Sequence, residues 1–195
     1  ERQPPIGLLQ VCAEMGRDDF NKCIVFHSLS KRSNMPGLRS GFIAGDGELI
    51  SRYLKYRTYH GCAMPIPTQL TSVALWKDEE HVLANRDLYR KKYQSVVSTL
   101  APVWPMKAPE ASFYLWPETP VADDVFAAKA FAEQSVTILP GRYLGRQAQP
   151  GLSSRSASNE ASKNPGENHV RMALVATVEE CNEAAERLKT LINSL

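Results

Sequence analysis

The spacing of hydrophobic positions changes several times along the chain, and each change marks an element. A short helical stretch over Gly7–Met15 ends in the polar turn Gly16-Arg17-Asp18-Asp19. Two brief apolar runs follow, Ile24-Val25-Phe26 and Gly41-Phe42-Ile43-Ala44, each of strand length. Leu49, Ile50, Tyr53 and Leu54 then recur at helical spacing behind Asp46-Gly47-Glu48, and Gly61 with Pro65 and Pro67 breaks that helix. From Thr68 to Leu100 the pattern stays helical, with one stripe at Leu70, Val73 and Ala74. A second runs through Val82, Leu83, Tyr89, Tyr93, Val96, Val97 and Leu100. Asp78-Glu79-Glu80 between the stripes suits a new helix start, where the dipole favours carboxylates, and Pro102 stops the run.

Beyond Pro109 alternation takes over. Ala111–Trp116, Val136–Leu139 and Val170–Val175 are predicted strands, and Asp123/Asp124 open an amphipathic helix carrying Val125, Phe126, Ala130 and Phe131. Thr177-x-x-Glu180 is a capping-box signature for a last helix with its stripe at Cys181, Ala184, Ala185, Leu188, Leu191, Ile192 and Leu195. This order predicts a small α/β domain over 86–195, joined by the long helix to a separate part over 1–85. Between Gly145 and Asn168 the chain is polar and serine-rich, with Leu152 its only large apolar residue. Such a stretch buries too little surface to order itself and reads as a mobile loop, either a lid near a substrate or a surface insertion.

Composition narrows the classes. The 195 residues carry 43% hydrophobic and 23% charged residues, ordinary for a globular protein with a real core. A net charge of +2 gives no nucleic-acid footprint, and no apolar run reaches membrane-spanning length. Cys12, Cys23, Cys62 and Cys181 are scattered without a C-x-x-C pair, which reads as reduced thiols in a cytoplasmic protein. His27, His60, His81 and His169 show no paired spacing, so no metal site is expected.

The chemistry concentrates between the first two strands. Ser28-Leu29-Ser30-Lys31-Arg32-Ser33-Asn34-Met35-Pro36-Gly37-Leu38-Arg39-Ser40-Gly41 places a lone lysine among hydroxyls, with Arg39 eight residues beyond it. A lysine amine attacks a carbonyl only as the free base, a state that neighbouring cations such as Arg32 and Arg39 favour. Such an amine can form a Schiff base with an aldehyde cofactor, while Ser28 and Arg39 hold a phosphate, the arginine through its planar fork. The plain alternative is a solvated Lys-Arg pair in a turn. A second arginine, Arg171, lies within the apolar run Val170–Val175 and needs an anionic partner there. That partner is either an internal carboxylate or a bound acid.

The Ser-x-Ser-Lys…Gly-x-Arg pattern resembles the pyridoxal 5'-phosphate (PLP) lysine segment of class I/II, fold type I, aminotransferases. Phe26–Gly37, Tyr59-His60-Gly61-Cys62-Ala63-Met64-Pro65 and Ala111–Pro117 further resemble the succinyldiaminopimelate aminotransferases of proteobacteria. Ser40 departs from the pattern, where many members carry an aliphatic residue. The resemblance implies an α/β fold: 1–85 as the C-terminal part of the large PLP-binding domain, and 86–195 as the interdomain helix and small C-terminal domain. It implies Lys31 as the catalytic residue, Ser28, Ser30, Lys31 and Arg39 as cofactor ligands, and Arg171 as the ligand of the substrate α-carboxylate. The implied reaction is ping-pong transfer of an amino group from glutamate to N-succinyl-2-amino-6-oxopimelate, in lysine and diaminopimelate synthesis. Partners are then small amino and oxo acids and a second copy in a homodimer, with no nucleic acid and no membrane.

Alternatives are an aspartate, aromatic or LL-diaminopimelate aminotransferase, or a non-catalytic sensing domain of the same fold. Arg142, Tyr59 and the serine-rich loop are candidate contacts for the succinyl group. Family members are longer, and the resemblance implies that the missing part is N-terminal. It places the aspartate on the cofactor's pyridine nitrogen, a nearby tyrosine, the phosphate loop and the ring-stacking aromatic before Glu1. The isolated chain is therefore expected to be inactive or nearly so.

Overall fold

A computed structural model describes residues 6–147 and 163–195; the central part of the serine-rich stretch lies outside the described residues. The chain divides into two compact units, Glu1–Arg86 and Asp87–Leu195.

In the first unit, α1 (Leu8–Glu14) leads to β1 (Ile24–Ser28), which pairs antiparallel with β2 (Gly41–Gly45) from Ile24↔Gly45 to Ser28↔Gly41. Between the strands lie a four-residue helix, α2 (Leu29–Arg32), and a 3-10 turn over Pro36–Leu38. Leu29 is fully buried and anchors α2. The helices α3 (Gly47–His60) and α4 (Ile66–Lys77) follow. Asp46 caps α3, its Oδ1 accepting from the amides of Glu48 at 2.9 Å and Leu49 at 3.1 Å. Its Oδ2 accepts from the Lys22 amide at 2.7 Å, so one carboxylate closes both the helix and the preceding turn. Leu54, Ile66 and Leu70 stay mostly exposed, and among the described residues Cys12, Leu29 and Val82 are this unit's only fully buried apolar side chains.

The helical pattern over Thr68–Leu100 is divided at Asp78, whose extended backbone ends α4 before α5 (Glu80–Leu100) begins. Most of α5 belongs to the second unit, with α6 (Asp123–Gln134) and α7 (Val178–Asn193). Here β5 (Val170–Ala173) is the centre of an antiparallel sheet flanked by β3 (Tyr114–Leu115) and β4 (Leu139–Pro140). Val96, Leu100, Trp104, Leu115, Phe126, Val170, Met172, Leu188 and Leu191 make the core. The capping box is present, with Thr177 Oγ1 accepting from the Glu180 amide and the Glu180 carboxylate from the Thr177 amide.

Two predicted strands are shorter than their alternation suggests. In Ala111–Trp116 only Tyr114 and Leu115 form a regular ladder. The Ser112 hydroxyl accepts from the Tyr114 amide at 3.2 Å, a local turn that competes with strand pairing. In Val136–Leu139, residues 136–138 stand off from β5, and a cavity of about 400 Å³ opens between them and residues 172–174. Ser135 at φ 54° turns the chain sharply out of α6, and Val136 is spent on the core instead of on the ladder.

Candidate active site

Lys31 is exposed on the first turn of α2, three residues after Ser28, which is the N-cap of that helix. The Ser28 hydroxyl makes no capping bond, so it is not used up by the helix it precedes. Backbone pairing fixes this junction from the other side: Ser28 faces Gly41 in the ladder, and the Leu29 amide donates to Ser40 O at 3.1 Å. Gly41 is needed for that approach, because a Cβ there would lie 2.5 Å from His27 O. Ser30 is half-buried beside Lys31.

Arg39 follows the 3-10 turn in the left-handed region at φ 53°. Its Nη1 donates to Pro36 O at 2.9 Å, and its other guanidinium nitrogens have no partner among the described residues. Arg32, the other cation expected near the lysine, turns away from it. It donates to Leu75 O at 3.0 Å, pairs with Glu79 and stacks over Trp76 at 5.0 Å. Arg32 thus docks α2 on α4 and is a structural residue. Ser40, the departure from the family pattern, is buried with its hydroxyl 2.7 Å from that of Ser72 on α4. Ser72 Oγ also donates to Thr68 O at 2.7 Å. Ser72 is the complement that makes a buried serine tolerable at position 40, and single-sequence periodicity gives no hint of the pair.

In the second unit Arg171 sits half-buried on β5, its guanidinium 5.9 Å from the Tyr114 ring centroid. Among the described residues it forms no ion pair, so the internal carboxylate that its strand position could have required is not there. It lines instead a cleft of about 530 Å³ with Lys107, Ser112, Tyr114, Trp116 and Leu144. Tyr93 of α5 steadies this wall, its Oη donating to Tyr114 O at 3.1 Å, and Lys92 Nζ of the same helix donates to Leu174 O at 3.0 Å just beyond β5. Burial pushes the Tyr93 phenol above its ordinary pKa, which keeps it a donor.

Arg142 is engaged elsewhere. Its Nε donates to Asp123 Oδ1 at 2.8 Å and its Nη1 to Asp124 Oδ2 at 3.0 Å, so it is not available as a succinyl contact. Tyr59 is on α3 and 79% exposed. The fully buried Asp123 carboxylate also accepts from the amides of Arg142 and Asn168. It thereby joins the two ends of the serine-rich segment. Gly166 belongs to the same neck, where a Cβ would lie 2.0 Å from Gly141 O.

In the first unit a lysine on a hairpin-borne turn, an uncapped serine before it and a forked cation after it offer the groups that an anionic, carbonyl-bearing ligand needs; in the second unit Arg171 lines a cleft of its own. The chain matches the family model for aminotransferase class I and II over residues 6–188, and it belongs to that family, whose members depend on PLP. An aminotransferase from Neisseria meningitidis superposes with a TM-score of 0.85 at 47% identity, over 96% of this chain and 45% of that one. The 4-dedimethylamino-4-oxo-anhydrotetracycline transaminase OxyQ of Streptomyces rimosus is 31% identical over 94% of this chain and 46% of its own length. A probable N-succinyldiaminopimelate aminotransferase from Thermus thermophilus aligns with a TM-score of 0.71 at 26% identity, over 89% of this chain and 43% of that one. The fold is therefore that of the fold type I aminotransferases, and the chain spans less than half the length of these relatives.

The residues present suit PLP by the chemistry of their donors. The cofactor needs an amine for its aldehyde and hydrogen-bond donors with positive charge for its phosphate. Lys31 would supply the first; Ser28, with its hydroxyl outside any cap, and Arg39, with guanidinium nitrogens beyond the one on Pro36 O, would supply the second. No helix among the described residues is long and apolar enough to cross a membrane.

Proposed function

We propose that the protein to which this chain belongs is a PLP-dependent aminotransferase that moves an amino group from glutamate to N-succinyl-2-amino-6-oxopimelate. The observation that supports the transferase reading is the hairpin closed at Ser28–Gly41, whose connecting segment carries Lys31 after the uncapped Ser28 and before Arg39. When bound, PLP supplies an electron sink for the carbon that loses its proton.

Lys31 Nζ anchors the cofactor between turnovers, and during each half-reaction it moves a proton at the Cα of the amino acid. Ser28, Ser30 and Arg39 hold the phosphate and fix the ring relative to that amine. Arg171 grips the α-carboxylate of the donor and then of the acceptor, since both acids present the same planar group to the same fork. Tyr114 beneath the guanidinium limits its swing. On this reading residues 1–85 belong to the large cofactor-binding domain and 86–195 to the small one.

The substrate assignment is supported by the resemblance of Phe26–Gly37, Tyr59–Pro65 and Ala111–Pro117 to succinyldiaminopimelate aminotransferases and by the similarity to the Thermus thermophilus protein. The transferase reading is tested by adding PLP to the full-length protein, reducing with borohydride and mapping the modified peptide. A single adduct on Lys31, absent from Lys31→Ala, is expected. Adducts spread over many lysines and unchanged in that variant would refute it. Substrate profiling then decides the acceptor: a strong preference for the N-succinylated diacid is expected, and equal rates with aspartate or aromatic acids would replace that assignment.

A further inference from the structure

Arg171 shares its cleft with a second cation. Lys107, in the irregular segment between α5 and β3, lines the same cleft, and among the described residues no carboxylate lines it. Neither Lys107 nor Arg171 forms an ion pair among the described residues, whereas Arg90, Arg142 and Arg187 of the same unit each hold an acidic partner. Two cations facing one concavity without counter-charge focus a positive potential into it, and that potential selects dianions.

We propose that this cleft is a dicarboxylate site, in which Arg171 holds the α-carboxylate and Lys107 the distal acid group of the same molecule. The inference rests on the reading of Arg171 as the α-carboxylate ligand. The two side chains divide the work according to their chemistry. A guanidinium is a planar fork of fixed geometry and suits the one group that every substrate presents identically. A lysine is a point charge on a flexible stem and tolerates distal groups at different distances. A ping-pong enzyme that must seat two acids of unequal length in turn requires that division. Tyr114 and Trp116 add aromatic surface to the lining of the same cleft, and Trp116 stacks on His169 at 5.7 Å. Lys107 is thus a specificity-determining residue that favours dicarboxylic over monocarboxylic acids.

Binding tests this without turnover. Glutarate and pentanoate, equal in carbon number and different in one carboxylate, are titrated into the full-length protein and its Lys107→Met, Lys107→Arg and Arg171→Met variants. Glutarate is expected to bind more tightly than pentanoate. Lys107→Met weakens glutarate by about three- to tenfold, the effect of one partly solvated charge pair in a cleft, and leaves pentanoate unchanged. Lys107→Arg restores glutarate binding, and Arg171→Met weakens both acids. Equal affinity of the wild type for the two acids, or a Lys107→Met effect that is absent or the same for both, overturns the proposal. Amino transfer from glutamate is assayed separately. Selective glutarate binding without transfer would refute the aminotransferase reading and leave the dicarboxylate site standing.

Discussion

Lys92 Nζ donates to Leu174 O at 3.0 Å, fastening α5 to the residue that follows β5, the strand of Arg171. The lysine is only 3% exposed, and its ammonium also lies 4.8 Å from the Tyr89 ring centroid. Replacing it with methionine keeps most of the packing but strips a buried carbonyl of its donor. Lys92→Met is expected to cost about 1–3 kcal/mol, read by urea denaturation. If β5 is held by this bond, the same variant also loses affinity for glutarate and pentanoate alike, unlike Lys107→Met.

The Asp123–Arg142 pair makes a pH-dependent contribution. Burial alone would raise the Asp123 pKa, but the Arg142 guanidinium and the amides of Arg142 and Asn168 outweigh it and hold the carboxyl below its ordinary value of 3.8. A carboxyl lowered in the folded state stabilises fully above its unfolded pKa, and that contribution is lost as pH falls through the lower, folded value. Asp123→Ala removes the contribution at every pH and leaves two amides unpaired, at a cost of about 3 kcal/mol at neutral pH. The gap in melting temperature between wild type and variant should shrink as pH falls below the ordinary carboxylate range, leaving the part due to the two unpaired amides. A gap that does not shrink there would show that charge carries none of the effect.

Asp46 shows the same sign in the first unit. Its pKa is lowered chiefly by the Lys22 amide and then by the amide of Leu49, so the turn and the helix cap both loosen when it protonates. Asp46→Asn is expected to lower the melting temperature at neutral pH and to match the wild type in strong acid. Amide exchange should localise the loss to Lys22 and the first turn of α3.

Ser40 and Ser72 should behave as a unit. With the Ser72 proton directed at Thr68 O, Ser40 is the donor between the two hydroxyls. Ser40→Ala therefore costs about 1 kcal/mol. Ser40→Val with Ser72→Ala, which removes both polar groups and fills the space, is expected to cost less than the sum of the single changes. Strict additivity in a double-mutant cycle would refute the coupling.

Local signals carried much of the fold into view. The cap at Asp46, the capping box at Thr177 and the stripe of Cys181, Ala185, Leu188 and Leu191 rest on neighbours within one or two helical turns, and each is found where the pattern puts it. Strand length was less legible at Ala111–Trp116 and Val136–Leu139, because alternation reports which side chains are buried and not whether the backbone has a ladder partner. At the site, Ser28, Lys31 and Arg39 lie within one short stretch, whereas the engagement of Arg142 by Asp123, of Ser40 by Ser72 and the sharing of a cleft by Lys107 and Arg171 join residues distant in sequence. Arg32 shows the same limit. Its neighbour in sequence is Lys31, but its partners come from Leu75, Trp76 and Glu79 on or just after α4.

The ladder between Ser28 and Gly41 has a consequence for how tightly a ligand can be held. The segment that carries Lys31 and Arg39 is a closed loop, tied backbone to backbone where it leaves β1 and where it enters β2. Its conformational freedom is surrendered when the hairpin forms, before any ligand arrives. Binding then meets a preorganised frame and loses only side-chain freedom, about 0.5–1.5 kcal/mol for each long side chain immobilised. Lengthening the loop by glycine insertion after Asn34 would transfer that ordering cost to the binding step, weakening affinity without removing a single contact.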